Sequence, residues 1–183
     1  MNRMTMKTVM LVIALASPLS LAACGSQVYK PELEPSKPFG GFGRAEIREL
    51  KVRVANLDTL PPEVQTEIRS AARNFPDRLA ARLKKKQLLS GDSGKTLIIA
   101  GELVEYDPGS QTARWMIGFG AGSGMVTAVI HFAEDDGTDI ARGNALGTVA
   151  GGFLGGSIDS AVDRMVEAIV KYIEKNCREQ KTP

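Results

Sequence analysis

The chain has 183 residues, with 23 Lys and Arg against 21 Asp and Glu, one His and two Cys. A charge balance this close to neutral excludes the broad basic footprint that nucleic-acid binding needs. A single His and two Cys exclude metal sites built on His/Cys clusters, and a disulfide framework as well.

Taken in order, the first 23 residues read as a removable address. Arg3 and Lys7 give a positive start, Thr8 to Ala16 is an unbroken apolar run, and Leu21-Ala22-Ala23-Cys24-Gly25 ends the segment in small residues. That is the layout of a secretory signal. The apolar run is about nine residues, against the roughly 20 of a spanning helix. The ending resembles the lipobox of bacterial lipoproteins. The resemblance implies cleavage between Ala23 and Cys24, a diacylglycerol on the Cys24 sulfur and acylation of the new amino group. Two or more chains hold a protein stably to a membrane where one does not. Gly25 and Ser26, rather than an aspartate, follow the cysteine, and the resemblance then implies the outer membrane, with the domain facing the periplasm. Removing Arg3 and Lys7 with the leader leaves 21 basic and 21 acidic residues. Cys177 then has no partner within the chain. It is either sheltered by the fold or open to pairing between chains.

Residues 24–43 read as the lipidated N-terminus and a flexible tether. Pro31, Pro35 and Pro38 stiffen it, and Gly40, Gly41 and Gly43 loosen it. A coil of about 20 residues spans on the order of 25 Å. Residues 44–177 read as one domain, and residues 178–183 as a tail.

Within the domain, Val52 and Val54 alternate with Lys51 and Arg53, which predicts a strand over Ala45 to Leu57. Pro61 and Pro62 suit a helix start. Ile68, Ala72, Phe75, Leu79 and Leu83 share one face of a helix over Glu63 to Leu89, in which Pro76 predicts a kink or two abutting helices. Thr96 to Tyr106 and Met125 to Phe132 read as strands. Another follows from Asp139 to about Ala145, joined to its predecessor by a hairpin at Asp136-Gly137. Ser157 to Asn176 is a final helix, with Ile158, Val162, Met165, Ile169 and Tyr172 on its apolar face. The order predicts an α+β two-layer sandwich: a largely antiparallel sheet of about four strands with two main helices on one face.

Two uncharged stretches are rich in glycine. In Trp115 to Ile130, Gly118, Gly120, Gly122 and Gly124 recur at every second position, next to Arg114. On a strand this strips one face of side chains; as a loop the same residues could cradle an anion. In Gly143 to Ile158, Gly143, Gly147, Gly151 and Gly155 recur at every fourth position. That leaves a bare stripe on a helix, or on one face of a strand. Close packing within the domain, packing between subunits and insertion into a membrane all remain open.

Arg114-Trp115-Met116-Ile117-Gly118-Phe119-Gly120-Ala121-Gly122, followed by the Val126 to Phe132 strand and joined to the lipobox, resembles a lipoprotein family described as domain of unknown function 4410. The likeness extends over most of the mature chain. It implies an outer-membrane lipoprotein with an α/β domain. It implies no activity and no site residues.

A catalytic constellation is missing from the sequence. His131 sits within an apolar strand. Gly91-Asp92-Ser93-Gly94-Lys95-Thr96 lacks the first glycine of a phosphate loop, since Leu89 stands there, and a helix precedes it where a strand should. The run from Gly118 has Ser123 at the third glycine of a dinucleotide fingerprint, and a strand follows where a helix should. Glu134, Asp135, Asp136 and Asp139 do not have the spacing of a calcium loop, and Lys84-Lys85-Lys86 is a charged helix end. No enzyme activity, metal or cofactor is expected. The expected role is a membrane-held binding or assembly module of the cell envelope, with an envelope protein as partner. The alternative is a self-assembling ring or pore component packed through the glycine segments.

Overall fold

A computed structural model describes residues 27–55, 57–91, 94–107, 124–149 and 157–178. Among the described residues, five strands form one sheet: β1 (Gln27–Leu33), β2 (Arg44–Val52), β3 (Thr96–Asp107), β4 (Gly124–Ala133) and β5 (Asp139–Val149). The long helices among the described residues are α1 (Pro62–Lys85) and α2 (Ile158–Arg178). The spatial order is β1-β5-β4-β3-β2. The β1/β5, β5/β4 and β4/β3 pairs are antiparallel, and β2/β3 is parallel. Parallel neighbours need a crossover, and α1 supplies it. The fold is α+β, as the sequence predicts, with five strands rather than four.

Strand alternation builds the core. On β4 every second residue, Val126, Ala128, Ile130 and Phe132, is buried, and those between are half-buried. Leu97, Ile99 and Leu103 do the same on β3. Ile68, Ala72, Phe75, Leu79 and Leu83 from α1 join them in a single core, with Ile158, Val162, Met165, Ile169 and Ile173 from α2.

Helix ends follow local chemistry. Pro62 opens α1 at a position whose N–H would be unbonded in any case. Pro76 lies inside one continuous helix, so the alternative of two abutting helices does not hold. The helix stops at Lys85, four residues before the predicted Leu89. There Gln87 enters the left-handed region at φ 54°, and the Leu88 N–H bonds back to the Leu83 carbonyl at 3.0 Å. This is the two-bond closure common at helix C-termini. At the start of α2 the Ser157 hydroxyl accepts the Ser160 N–H at 3.2 Å, as a capping serine does.

Ion pairs join the helices side by side. Arg78 donates to Asp159 and, at 3.0 Å, to Asp163; Arg82 donates to Glu167 at 2.7 Å and Lys86 to Glu174 at 3.1 Å. These pairs advance the same way along both elements, so the helices run parallel. Lys86, part of the charged run expected at this helix end, is thereby spent on a contact within the chain.

The tether expected over residues 24–43 is corrected from residue 27 onward. Residues 27–33 form the edge strand β1, paired with β5 from Gln27↔Gly147 to Leu33↔Arg142. Phe39 is fully buried and Phe42 nearly so. The Ser36 N–H bonds to the Ile140 carbonyl at 3.0 Å, and Lys37 pairs with Glu134 at 2.7 Å. Pro31 is accommodated because an edge strand tolerates what a central one cannot. The folded unit therefore begins well before Arg44.

Candidate functional site

The N-terminal strand is held by rings. Tyr29 stacks on Tyr172 of α2 with centroids 4.0 Å apart, and Phe39 lies 5.0 Å from Phe132 of β4 and 5.9 Å from Tyr172. On the opposite side of β1, Glu32 accepts hydrogen bonds from Asn144 at 2.8 Å and pairs with Arg142 at 3.2 Å. Burial pushes the Tyr29 hydroxyl far above its ordinary range; the neighbouring Tyr172, Glu32 and Glu34 add to the shift. Among the described residues that hydroxyl has no hydrogen-bond partner. None of Tyr29, Phe39 and Phe42 was singled out in the sequence. The only signal was aromatic residues within a segment otherwise rich in proline and glycine.

Three of the eight glycines in the two stripes fall in described residues. A Cβ on Gly147 would overlap the Ala161 carbonyl oxygen and lie 2.7 Å from the Met165 nitrogen, so α2 rests directly on the β5 backbone there. On Gly143 it would lie 2.5 Å from the Lys30 carbonyl oxygen and 2.8 Å from the Tyr29 ring. Both glycines thus serve packing within the chain. This removes Gly143 and Gly147 from the surface that the ring-or-pore alternative needs. Gly124 opens β4, buried and paired with Val149. Gly118, Gly120, Gly122, Gly151, Gly155, Arg114 and Trp115 lie outside the described residues, as do Ala23 and Cys24. A further close approach lies outside the stripes: a Cβ on Gly101 would overlap the Val129 carbonyl oxygen.

The sheet face turned away from the helices carries Ile98, Ala100 and Glu102 from β3, Met125, Thr127, Val129 and His131 from β4, and Arg142, Asn144 and Leu146 from β5. His131 stands in register between Ala100 and Arg142. Neither neighbour is a carboxylate or hydroxyl that could orient it for proton transfer. Thr127 hydrogen-bonds Glu105 across the strands at 3.1 Å. The face is mixed in character, neither strongly apolar nor strongly charged.

The acidic turn between β4 and β5 is a hairpin closed by its own groups. Gly137 adopts φ 88°, and the Asp136 carboxylate accepts the Thr138 N–H at 2.8 Å. That bond holds the Asp136 carboxyl below its usual range. Among the described residues no group of three or more His, Cys, Asp or Glu is placed to hold a metal ion. No described helix is long and apolar enough to cross a membrane. Of the stretch compared with a phosphate loop, Gly94 adopts φ 67° and Thr96 opens β3, its hydroxyl accepting the Arg44 Nε–H at 2.6 Å. Cys177 carries a free thiol packed at the core's margin, and burial, with Glu174 nearby, pushes its ionisation up to about 11.

A family model described as a domain of unknown function (DUF4410) matches residues 34–152. The chain belongs to that family. The DUF4410 match begins ten residues before Arg44 and so includes Phe39 and Phe42, in accord with their place in the core. Among solved structures, the chain is similar to a PelC L103M dodecamer from Paraburkholderia phytofirmans, at 11% identity and a TM-score of 0.47, over 84% of this chain and 99% of that one. It is also similar to a second PelC dodecamer from the same organism, at 8% identity and a TM-score of 0.44, over 79% of this chain and 96% of that one. No curated protein matches.

Proposed function

We propose that this DUF4410 protein is a non-enzymatic module of the cell envelope. Lipid on Cys24 holds it to the outer membrane, facing the periplasm, and it binds or helps assemble another envelope component. The observation that carries the reading is the position of the lipobox-like Leu21-Ala22-Ala23-Cys24-Gly25 immediately before the first strand. A chain cut at Ala23 would keep every described element and gain an anchor at its edge.

The side chains support a binding role over catalysis. The only histidine lacks an orienting partner in register, and the acidic hairpin spends Asp136 on its own turn. Among the described residues the helices cover one side of the sheet, and the other face is the surface offered to a partner. Cross-linking in intact cells tests the reading. With a photo-cross-linking residue at Ile98 or Ala100, on the same sheet face, the proposal expects a discrete adduct with one envelope protein, lost when Cys24 is replaced by serine. Turnover of a substrate by the purified protein, abolished by His131→Ala, would overturn it.

A further inference from the structure

The strand register fixes what lies at each end of the sheet. Gln27 pairs with Gly147, Met125 with Thr148 and Gly124 with Val149. The start of β1, the start of β4 and the end of β5 therefore share one corner. Residues 27–29, 124–129 and 145–149 hold no charged side chain. Val28, 38% exposed, is one of two large exposed apolar residues among those described. Toward β3 the corner is bounded by Glu105 and Asp107. The two segments entering and leaving the sheet at this end, 108–123 and 150–156, contain a single charged residue in sequence, Arg114. The other end of β4 and β5 is the hairpin bearing Glu134, Asp135 and Asp136, with Asp139 just after it. Ten strand residues separate the two ends of β4, on the order of 30 Å.

Chain length ties the uncharged corner to the anchor. Three peptide steps separate Cys24 from Gln27, so the two Cα atoms stand at most about 11 Å apart. A domain joined to a membrane lipid by that length cannot stand clear of the headgroups, and the corner that meets them is the one where β1 starts.

We propose that the uncharged β1–β5–β4 corner lies against the lipid surface, with Val28 and Met125 toward the bilayer and the acidic hairpin directed away. This rests on the lipid anchor at Cys24 proposed above. The charge distribution along β4 and β5 suits it, because anionic headgroups repel the carboxylates of the hairpin, while Glu105 and Asp107 mark the limit of the uncharged corner toward β3. The distance between the two ends keeps Glu134, Asp135 and Asp136 beyond a Debye length of about 8–10 Å.

The test uses the full protein purified from bacterial membranes, in a Cys177→Ser background. Single cysteines are introduced as Met125→Cys, Thr148→Cys or Asp136→Cys and carry an environment-sensitive fluorophore. The protein is placed in phosphatidylethanolamine–phosphatidylglycerol vesicles containing a headgroup nitroxide lipid. Mass measurement of the N-terminal peptide reports acylation of Cys24 in the same samples. The proposal expects several-fold stronger quenching at positions 125 and 148 than at 136. Equal quenching at all three, or strongest quenching at 136, on an acylated protein overturns the orientation and leaves the anchor standing. An unacylated Cys24 overturns the anchor and, with it, the orientation.

Discussion

The ring of Tyr29 lies on the ring of Tyr172 with centroids 4.0 Å apart and planes inclined by 26°, which fastens the first strand to the last helix. Truncating the first ring should therefore cost global stability. Tyr29→Ala is expected to lower unfolding free energy by about 3 kcal/mol, as for other buried aromatic truncations. Tyr29→Phe keeps the stack and removes a buried hydroxyl that has no hydrogen-bond partner among the described residues. It should stabilise by about 1 kcal/mol. Urea denaturation of the two variants checks both signs.

Alkaline pH should act through the same hydroxyl. Burial raises its ionisation in the folded state well above the ordinary value of about 10. The unfolded chain then loses a proton that the folded chain keeps. The contribution is fully present below about pH 10 and falls away as pH rises further. Denaturation midpoints followed above pH 10 should decline, and Tyr29→Phe should decline less steeply.

Residues 27–43 should be indispensable. A chain starting at Arg44 loses β1, the Tyr29–Tyr172 stack and the buried Phe39 and Phe42. Loss of Phe39 alone is worth about 3–5 kcal/mol, a large share of the 5–15 kcal/mol that holds a typical domain. The truncated chain is expected to lack a cooperative thermal transition, as read by circular dichroism. Retention of the transition would mean that the segment is an ornament on a core complete without it.

Gly147→Leu should damage the fold of the single chain. A Cβ there meets backbone atoms of Ala161 and Met165, which cannot move without lifting α2 from β5. Overpacking of this kind costs about 3 kcal/mol or more. Denaturation shows the loss directly. A variant of wild-type stability that had changed only its particle size would instead place Gly147 between chains.

Much of this architecture is legible in the residues. β3 and β4 declare themselves because Leu97, Ile99 and Leu103, and Val126, Ala128, Ile130 and Phe132, point to one face at the two-residue period. The Asp136-Gly137 hairpin and the Ser157 start of α2 follow from local chemistry that needs no tertiary context. β1 is not legible. The inward rings of this N-terminal segment, Tyr29 and Phe39, are isolated among Pro31, Pro35 and Pro38, and they pack on Tyr172 and Phe132, about a hundred residues or more away in sequence. The glycine stripe is half legible: a spacing of four shows that something comes close at Gly147, and only the packed structure shows that it is α2. The three steps from Cys24 to Gln27 were in the sequence throughout, but they acquire meaning only once β1 is known to be a strand.

The most direct test of the account is the mass of the mature N-terminal peptide from the membrane fraction, compared between the wild type and Cys24→Ser. The account predicts a peptide that begins at Cys24 and carries a thioether-linked diacylglycerol and an amide-linked acyl chain, with Cys24→Ser releasing the protein from the outer membrane. A wild-type peptide that begins at another residue, or an unmodified Cys24 on a protein recovered in the soluble fraction, would contradict it.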